Sequence, residues 1–219
     1  MSSFPQSPKV TKGAIVGLDP FNPLASIVVF QYNPSELTRS VSHPTSKERE
    51  GLSDTPVGTL RLTRAPRENI SANLILDAAD QLESGSTIAS TAGVAPQLAA
   101  LQMLLYPKTA LVIANTLLAK TGSLEIQPPM GPLTLFVYGL QRVVPVQIDS
   151  LSFQEELHGP DLMPIRARVS VSMTVLTYNN FTTSQPGYYL YLAHQAVQEA
   201  MATVGSIANL GDIAGGALL

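Results

Sequence analysis

The clearest pattern in the chain is an alternation of apolar and polar residues between Ile165 and Tyr178. One face of this segment carries Ile165, Ala167, Val169, Val171, Met173 and Val175, and the other carries Arg166, Arg168, Ser170, Ser172 and Thr174. Because successive side chains of a strand point to opposite faces, the pattern predicts a strand with one face on a core and the other facing water or a polar lumen. At about 3.3 Å per residue the strand is longer than about 40 Å. That length suits a sheet continued between neighbouring subunits.

Further strands are predicted on both sides of a central polar and helical region. Segments that are rich in β-branched and aromatic residues, or that alternate, favour strands; they are Ile27–Tyr32, Thr59–Leu62, Ile70–Leu76, Leu133–Tyr138, Arg142–Ile148 and Leu151–Glu156. Asn33 and Pro34 end the first of them, because proline donates no ladder hydrogen bond and asparagine closes a turn with its own side chain. The polar residues Ser42–Gly58 predict a flexible loop.

Helical periodicity appears in the middle of the chain. Pro96 suits a first helical turn, and leucines recur at helical spacing from Leu98 to Leu105. A second helix is predicted over Thr109–Ala119, ahead of a capping glycine at Gly122. The small and polar residues from 84 to 92 predict a linker in front of these helices.

A C-terminal helix is predicted from Tyr188 onward. Its apolar stripe consists of Tyr189, Ala193, Val197, Met201 and Val204. The segment Ile207–Leu219 that follows is apolar and Gly-rich with little charge, so we expect it to be loose or adhesive until a partner buries it.

The predicted fold is therefore mainly β, with an inserted helical segment and a C-terminal helix. Residues 1–12 are polar and Pro-rich and predict a flexible arm. The β-rich domain is predicted over residues 13–182 with a helical insertion at about 95–120, and the helix and apolar tail occupy residues 183–219.

Composition restricts the kind of partner that this chain can have. Charged residues make up only 13% of the chain, about half the usual share, which suggests that partners cover much of its surface. The alternative is that Ser, Thr, Gln and Asn provide the polar surface. A net charge of −3 argues against nucleic acid as a partner, because a nucleic-acid-binding surface is basic.

Membrane insertion and secretion are not expected from the sequence. The longest apolar stretch, between Lys108 and Lys120, is too short and too polar to cross a bilayer. The first ten residues lack the basic and apolar regions of a secretory signal. We therefore expect folding and assembly in the bacterial cytoplasm.

No catalytic, cofactor-binding or metal-binding residue is assigned from the sequence. The chain has no cysteine, and His43, His158 and His194 lack neighbours at metal-ligand spacing. Acidic residues cluster at Asp77, Asp80 and Glu83 and again at Glu155, Glu156 and Asp161. Helix starts and turns account for such clusters without catalysis, so we expect a protein that is not an enzyme.

Three stretches resemble the contractile injection system tube-protein family. Residues 30–37, FQYNPSEL, are similar to the family's F-x-(F/Y)-N-P-(S/T)-E signature after the first strand. Residues 74–80, LILDAAD, resemble its strand that ends in an apolar-Asp-x-x-Asp turn. Residues 144–148 and 153–156, followed by PIRARVSV at 164–171, resemble its closing strands.

The resemblance implies a β-barrel or split sandwich of the phage tail-tube type that acts through assembly alone. Six copies are expected to form a ring that joins the inner tube to the baseplate hub and spike. Many family members continue into a LysM module, whereas a helix is predicted here, so a cap adaptor closing the distal end of the tube is the alternative position. An effector or cargo domain and a membrane-contacting module built on Ile207–Leu219 are further alternatives.

Specific residues follow as candidates for contacts with partners or within the sheet. Asn33 and Pro34 correspond to the family's strand-ending turn and are either a turn alone or a contact between rings. Tyr188, Tyr189 and Leu192 on the C-terminal helix are further candidates for a partner interface. Arg166 and Arg168 are expected to pair with the Glu155–Glu156 region across strands rather than to line a lumen.

Overall fold

The computed structural model of the chain describes residues 12–18, 27–30, 33–43, 64–83, 85–120, 131–139 and 141–216. Within these ranges the fold is mainly β, with one antiparallel sheet and several helices. The strands are β1 (Ala14–Leu18), β2 (Ile27–Val29), β3 (Leu37–Ser42), β4 (Arg67–Asp77), β5 (Leu133–Val137), β6 (Val143–His158) and β7 (Pro164–Val175). The helices are α1 (Ala79–Glu83), α2 (Thr87–Ala92), α3 (Ala95–Met103), α4 (Thr109–Lys120) and α5 (Pro186–Gly216).

The sheet is built around the long hairpin of β6 and β7. Its strand order is β2-β1-β5-β6-β7-β4-β3, and every neighbouring pair is antiparallel. β7 lies between the long strands β6 and β4, and its Val171 is opposite Leu151 of β6 on one side and Ala72 of β4 on the other. β2 and β3 are the outer strands of the part of the sheet that the structure describes.

The core lies on one face of this sheet, as the alternation in β7 predicts. Ala167, Val169, Val171, Met173 and Val175 are all buried. They pack in one cluster with apolar residues of the other strands and of the helical segment; among these are Ile15, Phe30, Ile70, Leu74, Phe136, Val146, Val94, Leu98 and Leu101. The helical segment after β4 is therefore part of the core rather than a separate unit.

The helical segment begins earlier than predicted, so the expected linker over residues 84–92 is wrong. Thr87–Ala92 form α2, and the Ser86 hydroxyl accepts a hydrogen bond from the Ala89 N–H at 3.5 Å. Small polar residues resemble a linker in sequence, but this one has a serine N-cap and ends at Gly93, where φ is +55°.

Gly93 lets the helical segment approach the sheet closely. A Cβ at this position would lie 2.1 Å from the Pro164 carbonyl oxygen. The same oxygen accepts a hydrogen bond from the Val94 N–H at 2.9 Å. The backbone between α2 and α3 thus rests directly on the first residue of β7, where a side chain would separate them.

The strands predicted over Arg142–Ile148 and Leu151–Glu156 are one continuous strand, β6. The pairing with β7 shifts register between Ile148 and Ser150. Asp149 is therefore accommodated in a bulge, which inserts a residue without ending the strand. The sequence predicted a break here because aspartate and serine are frequent in turns.

Two further differences concern the ends of predicted elements. β3 ends at Ser42, the first residue of the predicted polar loop. Its pairing with β4 was not predicted. α5 continues to Gly216, through most of the tail that was expected to be loose. Residues 1–11 of the predicted arm 1–12, the strand Thr59–Leu62 and the cap at Gly122 lie outside the described residues.

Candidate functional site

The face of the sheet opposite the core is lined by small, polar and mostly uncharged side chains. Ser170 and Ser172 of β7 lie next to Asn73 and Ser71 of β4. The Ser170 hydroxyl donates to Asn73 Oδ1 at 2.8 Å. We call this surface the polar face; it consists of Ser71, Asn73, Ser150, Ser152, Ser170, Ser172 and Thr174.

Cross-strand hydrogen bonds hold the polar face together near the bulge. The Thr174 hydroxyl donates to Asp149 Oδ2 at 2.7 Å and also lies 3.1 Å from Asn69 Oδ1. These three side chains come from β7, β6 and β4, so the contacts fix the relative register of the three strands. Asp149 is the one carboxyl group among these three side chains.

At one end of the polar face, two arginines of β7 bind acidic residues, as expected. Arg168 Nε lies 2.8 Å from Glu156 Oε1, and Arg166 Nε lies 3.4 Å from Glu156 Oε2. Arg166 Nε is also 3.8 Å from Asp77 Oδ2 of β4. Glu156 occupies a register shift between Glu155 and Leu157, which turns its carboxylate toward the arginines.

Among the described side chains, the two acidic clusters found in the sequence approach each other at Arg166, which lies near both Asp77 and Glu156. Asp77 Oδ1 accepts a hydrogen bond from the Ala79 N–H at 2.8 Å, which satisfies a donor at the start of α1. Glu155 Oε2 lies 3.5 Å from His158 Nε2 on the exposed surface. No group of three or more potential metal ligands occurs in this part of the chain.

Four cavities lie along the described part of the sheet, and their linings contain few ionisable side chains. One cavity of about 530 Å³ is lined mostly by apolar residues, including Leu104, Val146, Ile148, Leu176 and Phe181. A second, of about 460 Å³, contains Asn33 and Pro34 beside Ser170 and Arg168. None of the four cavities described in these ranges is lined by two carboxylates.

Asn33 and Pro34 occupy a structured turn between β2 and β3. Asn33 Oδ1 accepts a hydrogen bond from the Gly13 N–H at 2.9 Å, which ties the turn to the start of β1. Pro34 is buried and Asn33 is half-buried. The structure places both residues in the connection that leads into β3, and a contact between rings through these residues stays a prediction.

The first turns of α5 are anchored to the body of the protein by buried residues. Tyr191 and His194 are buried at this contact, and the Tyr191 ring packs edge-on against Tyr178 with 5.8 Å between centroids. Gly187 lies against the ring of Phe181, where a Cβ would be 2.4 Å from the nearest ring carbon. This anchor fixes the direction in which α5 leaves the sheet.

Burial lowers the pKa of His194 below its ordinary value. The charges of Arg39 and Arg142 act in the same direction, whereas Glu68 and a hydrogen bond with the backbone of Gln141 oppose them. Nδ1 of the ring is buried without a hydrogen-bond partner among the described atoms. With its pKa lowered, His194 is mainly neutral at neutral pH and packs at the base of α5.

Beyond the anchor, α5 exposes its apolar side chains. Tyr189 is 62% exposed and Leu192 is 37% exposed, while Tyr188 is half-buried against the edge of the Tyr189 ring. All residues from 196 to 207 are exposed. We call the exposed apolar side chains of this helix the α5 stripe; they are Tyr189, Leu192, Val197, Met201, Val204 and Ile207.

Two other apolar surfaces are exposed, at α4 and at the tip of the β6–β7 hairpin. None of the residues of α4 is buried. At the tip, Leu162 is 80% exposed and has a φ of +61°, which is unusual for a leucine. The low charge content signalled such surfaces in the sequence, but the sequence did not indicate which elements carry them.

No protein-family model matches this chain, and a search of curated proteins finds no significant match. No helix in the described ranges is both long enough and apolar enough to span a membrane.

Proposed function

We propose that this chain is a structural subunit of a contractile injection system, and that six copies form a ring joining the inner tube to the baseplate hub and spike. The observation that carries the proposal is the sheet itself, which has one apolar and one polar face and an outer strand on each side with no further strand paired to it in the described residues.

The outer strands support assembly through the margins of the sheet. β3 is exposed from Thr38 to Ser42, and Val41 is 58% exposed. On the other margin, Ile27 and Val29 of β2 are each about half exposed, at 46% and 49%. Exposed strand edges pair readily with other chains, and a closed ring of subunits removes them.

The polar face supports a role as the wall of a lumen. It is a contiguous surface of hydroxyl and amide groups, some of which bond to one another across strands, and water in a lumen would satisfy the others. A ring with its core faces outward and its polar faces inward would enclose a wet channel. A molecule that moves through such a channel would meet few fixed charges.

The three stretches that resemble the tube-protein family occupy consistent places in this fold. The first contains Phe30, a core residue, and the Asn33–Pro34 turn into β3. The second is the end of β4, with Asp77 at the start of α1. The third is the β6–β7 hairpin with its Arg–Glu pairs. The position of all three stretches on or beside one sheet supports a tube-like subunit over a cargo domain.

The proposal is tested on particles from the parent bacterium. Deleting the gene should give particles in which tube and baseplate are no longer joined, and a plasmid copy should restore them. A tagged copy imaged by electron microscopy should lie at the baseplate end of the tube. Label at the distal end would assign the chain to the cap instead. Label within the lumen, together with deletion particles in which tube and baseplate stay joined, would make it cargo.

A further inference from the structure

The helix α4 has the properties of a helix that is stable only when covered. It is 12 residues long, none of its residues is buried, and no other helix or strand in the described ranges packs extensively against it. Val112, Ile113 and Leu117 are 44%, 56% and 58% exposed. Because isolated helices of this length are marginal in water, an apolar α4 needs a packing surface from elsewhere.

The outer part of α5 offers a surface of the same kind and length. The exposed residues 196–207 match α4 in number, and each helix is about 18 Å long over this span. At 100° per residue, Tyr189, Val197, Val204 and Ile207 of the α5 stripe fall within about 80° of one another and at least about 120° from the buried Tyr191, whereas Met201 lies on the same side as His194. These four residues of the stripe therefore point away from the Tyr191 contact that anchors α5.

The few charges on the two helices are complementary. Lys120 is the only charged residue within α4. Between Pro186 and Ile207, Glu199 is the only Asp, Glu, Lys or Arg of α5, and it lies at the border of the α5 stripe. One cation and one anion beside otherwise apolar surfaces are suited to fix the register of a helix pair.

We propose that α4 of one copy packs on the α5 stripe of a second copy, with Lys120 beside Glu199. The contact uses different surfaces on the two chains, so each copy contacts one neighbour through α4 and the other through α5. Such a contact forms a closed ring when the rotation between successive subunits adds up to a full turn. The exposed apolar side chains of both helices together cover on the order of 1,000 Å², near the lower limit for a specific interface. This inference rests on the proposed function and names the surface that joins the subunits.

The absence of cysteine from the chain makes disulfide mapping a direct test. Leu117→Cys in one preparation and Val204→Cys in another are mixed and mildly oxidised, and mass spectrometry identifies the linked chains. The inference predicts a mixed disulfide dimer, and a ladder of multimers from the double variant. Gln198→Cys is the matched control, because Gln198 is exposed and lies about 120° around α5 from Val204; it should link to Leu117→Cys at least tenfold less.

A charge reversal tests the register without cysteines. Glu199→Lys should weaken assembly about fivefold, because it places two cations together. Adding Lys120→Glu should restore assembly to within about twofold of the original protein. Equal weakening by the single and the double variant would contradict the pairing of these two residues.

The outcomes separate this inference from the proposed function. Six-membered rings without the mixed disulfide overturn the helix contact and leave the ring intact. A double variant that forms only a disulfide within one chain, or a Val204→Cys protein that links mainly to itself, also overturns it. Mixed disulfides in open filaments support the helix contact and contradict the ring, and a monomer with no disulfide contradicts both.

Discussion

The close approach of the helical segment to the sheet predicts that Gly93→Ala is strongly destabilising. Gly93 has φ +55° and ψ −131°, a region that costs a residue with a side chain about 1–3 kcal/mol. The new methyl group would also lie 2.1 Å from the Pro164 carbonyl oxygen. That oxygen belongs to backbone, so relief requires the α2–α3 junction to move away from β7.

The steric part of this cost is worked out from the contacts that the movement would loosen. Displacing the junction weakens the 2.9 Å hydrogen bond from the Val94 N–H to Pro164, worth about 1 kcal/mol. Overpacking of a filled interior adds about 1–3 kcal/mol. Allowing for partial relaxation, we expect Gly93→Ala to reduce the free energy of unfolding by about 3–5 kcal/mol.

Gly85→Ala is the matched control because it separates backbone strain from steric overlap. Gly85 also has a positive φ, +76°, but a Cβ there would meet nothing within 4 Å. We expect this variant to lose only about 1–2 kcal/mol. Urea denaturation at one fixed protein concentration measures both, since assembly makes stability depend on concentration. Equal losses in the two variants would refute the steric argument.

Three further predictions concern α5 and the polar face. Protonating a buried His194 is unfavourable, and its pKa is lowered in the folded state; its contribution to stability is therefore complete above pH 6.5 and is lost as pH falls from there toward the folded pKa. Measured by urea denaturation, the original protein should lose more free energy of unfolding between pH 7.5 and pH 5.5 than His194→Gln does. Equal losses in the two proteins would contradict this. Gly187→Ala should lower the free energy of unfolding by about 1–3 kcal/mol, because the new Cβ would overlap Phe181. Gly205 has open space around it, so Gly205→Ala should raise the helix content measured by circular dichroism. A loss of helix in Gly205→Ala would count against a solvent-exposed outer helix. Glu156→Gln should cost no more than about 1 kcal/mol in thermal or urea denaturation, because the arginines it binds are partly exposed, and a larger loss would indicate a role in the core.

The sequence was most informative where a local pattern and the tertiary contacts agree. The alternation over β7 predicted which of its residues are buried, and the cross-strand pairing of Arg166 and Arg168 with acidic residues of β6 is confirmed. Whether Glu155 or Glu156 pairs with the two arginines depends on the bulge at Glu156. A bulge is set by the packing of both strands, so the sequence of one strand does not locate it.

Edges and small helices were harder to predict because local preference does not determine them. β3 is mostly polar and exposed, and its pairing with β4 is supported by the 2.7 Å contact between Arg39 Nε and Glu68 Oε1. The two residues are 29 positions apart, beyond any window of periodicity. Five of the six residues of α2 are Ala, Ser or Thr, and Ser and Thr weaken the local preference for helix, so its contact with the sheet at Gly93 helps to decide.

The candidate interface shows the same division between pattern and context. The sequence placed Tyr189 and Leu192 on a helix with an apolar stripe, and both are exposed in the structure. It did not show that the core contact ends near His194 and leaves the outer part of α5 exposed. That boundary depends on where the sheet ends beneath the helix, which follows from strand lengths rather than from the helix sequence.

Electron microscopy of the purified protein, with native mass spectrometry of the same sample, tests the central claim most directly. We predict closed rings whose mass is six times that of the 23.3 kDa chain, with the polar face of every copy toward the central opening. A single species of monomer at every concentration, which also fails to join tubes or baseplates from the parent bacterium, would contradict the account.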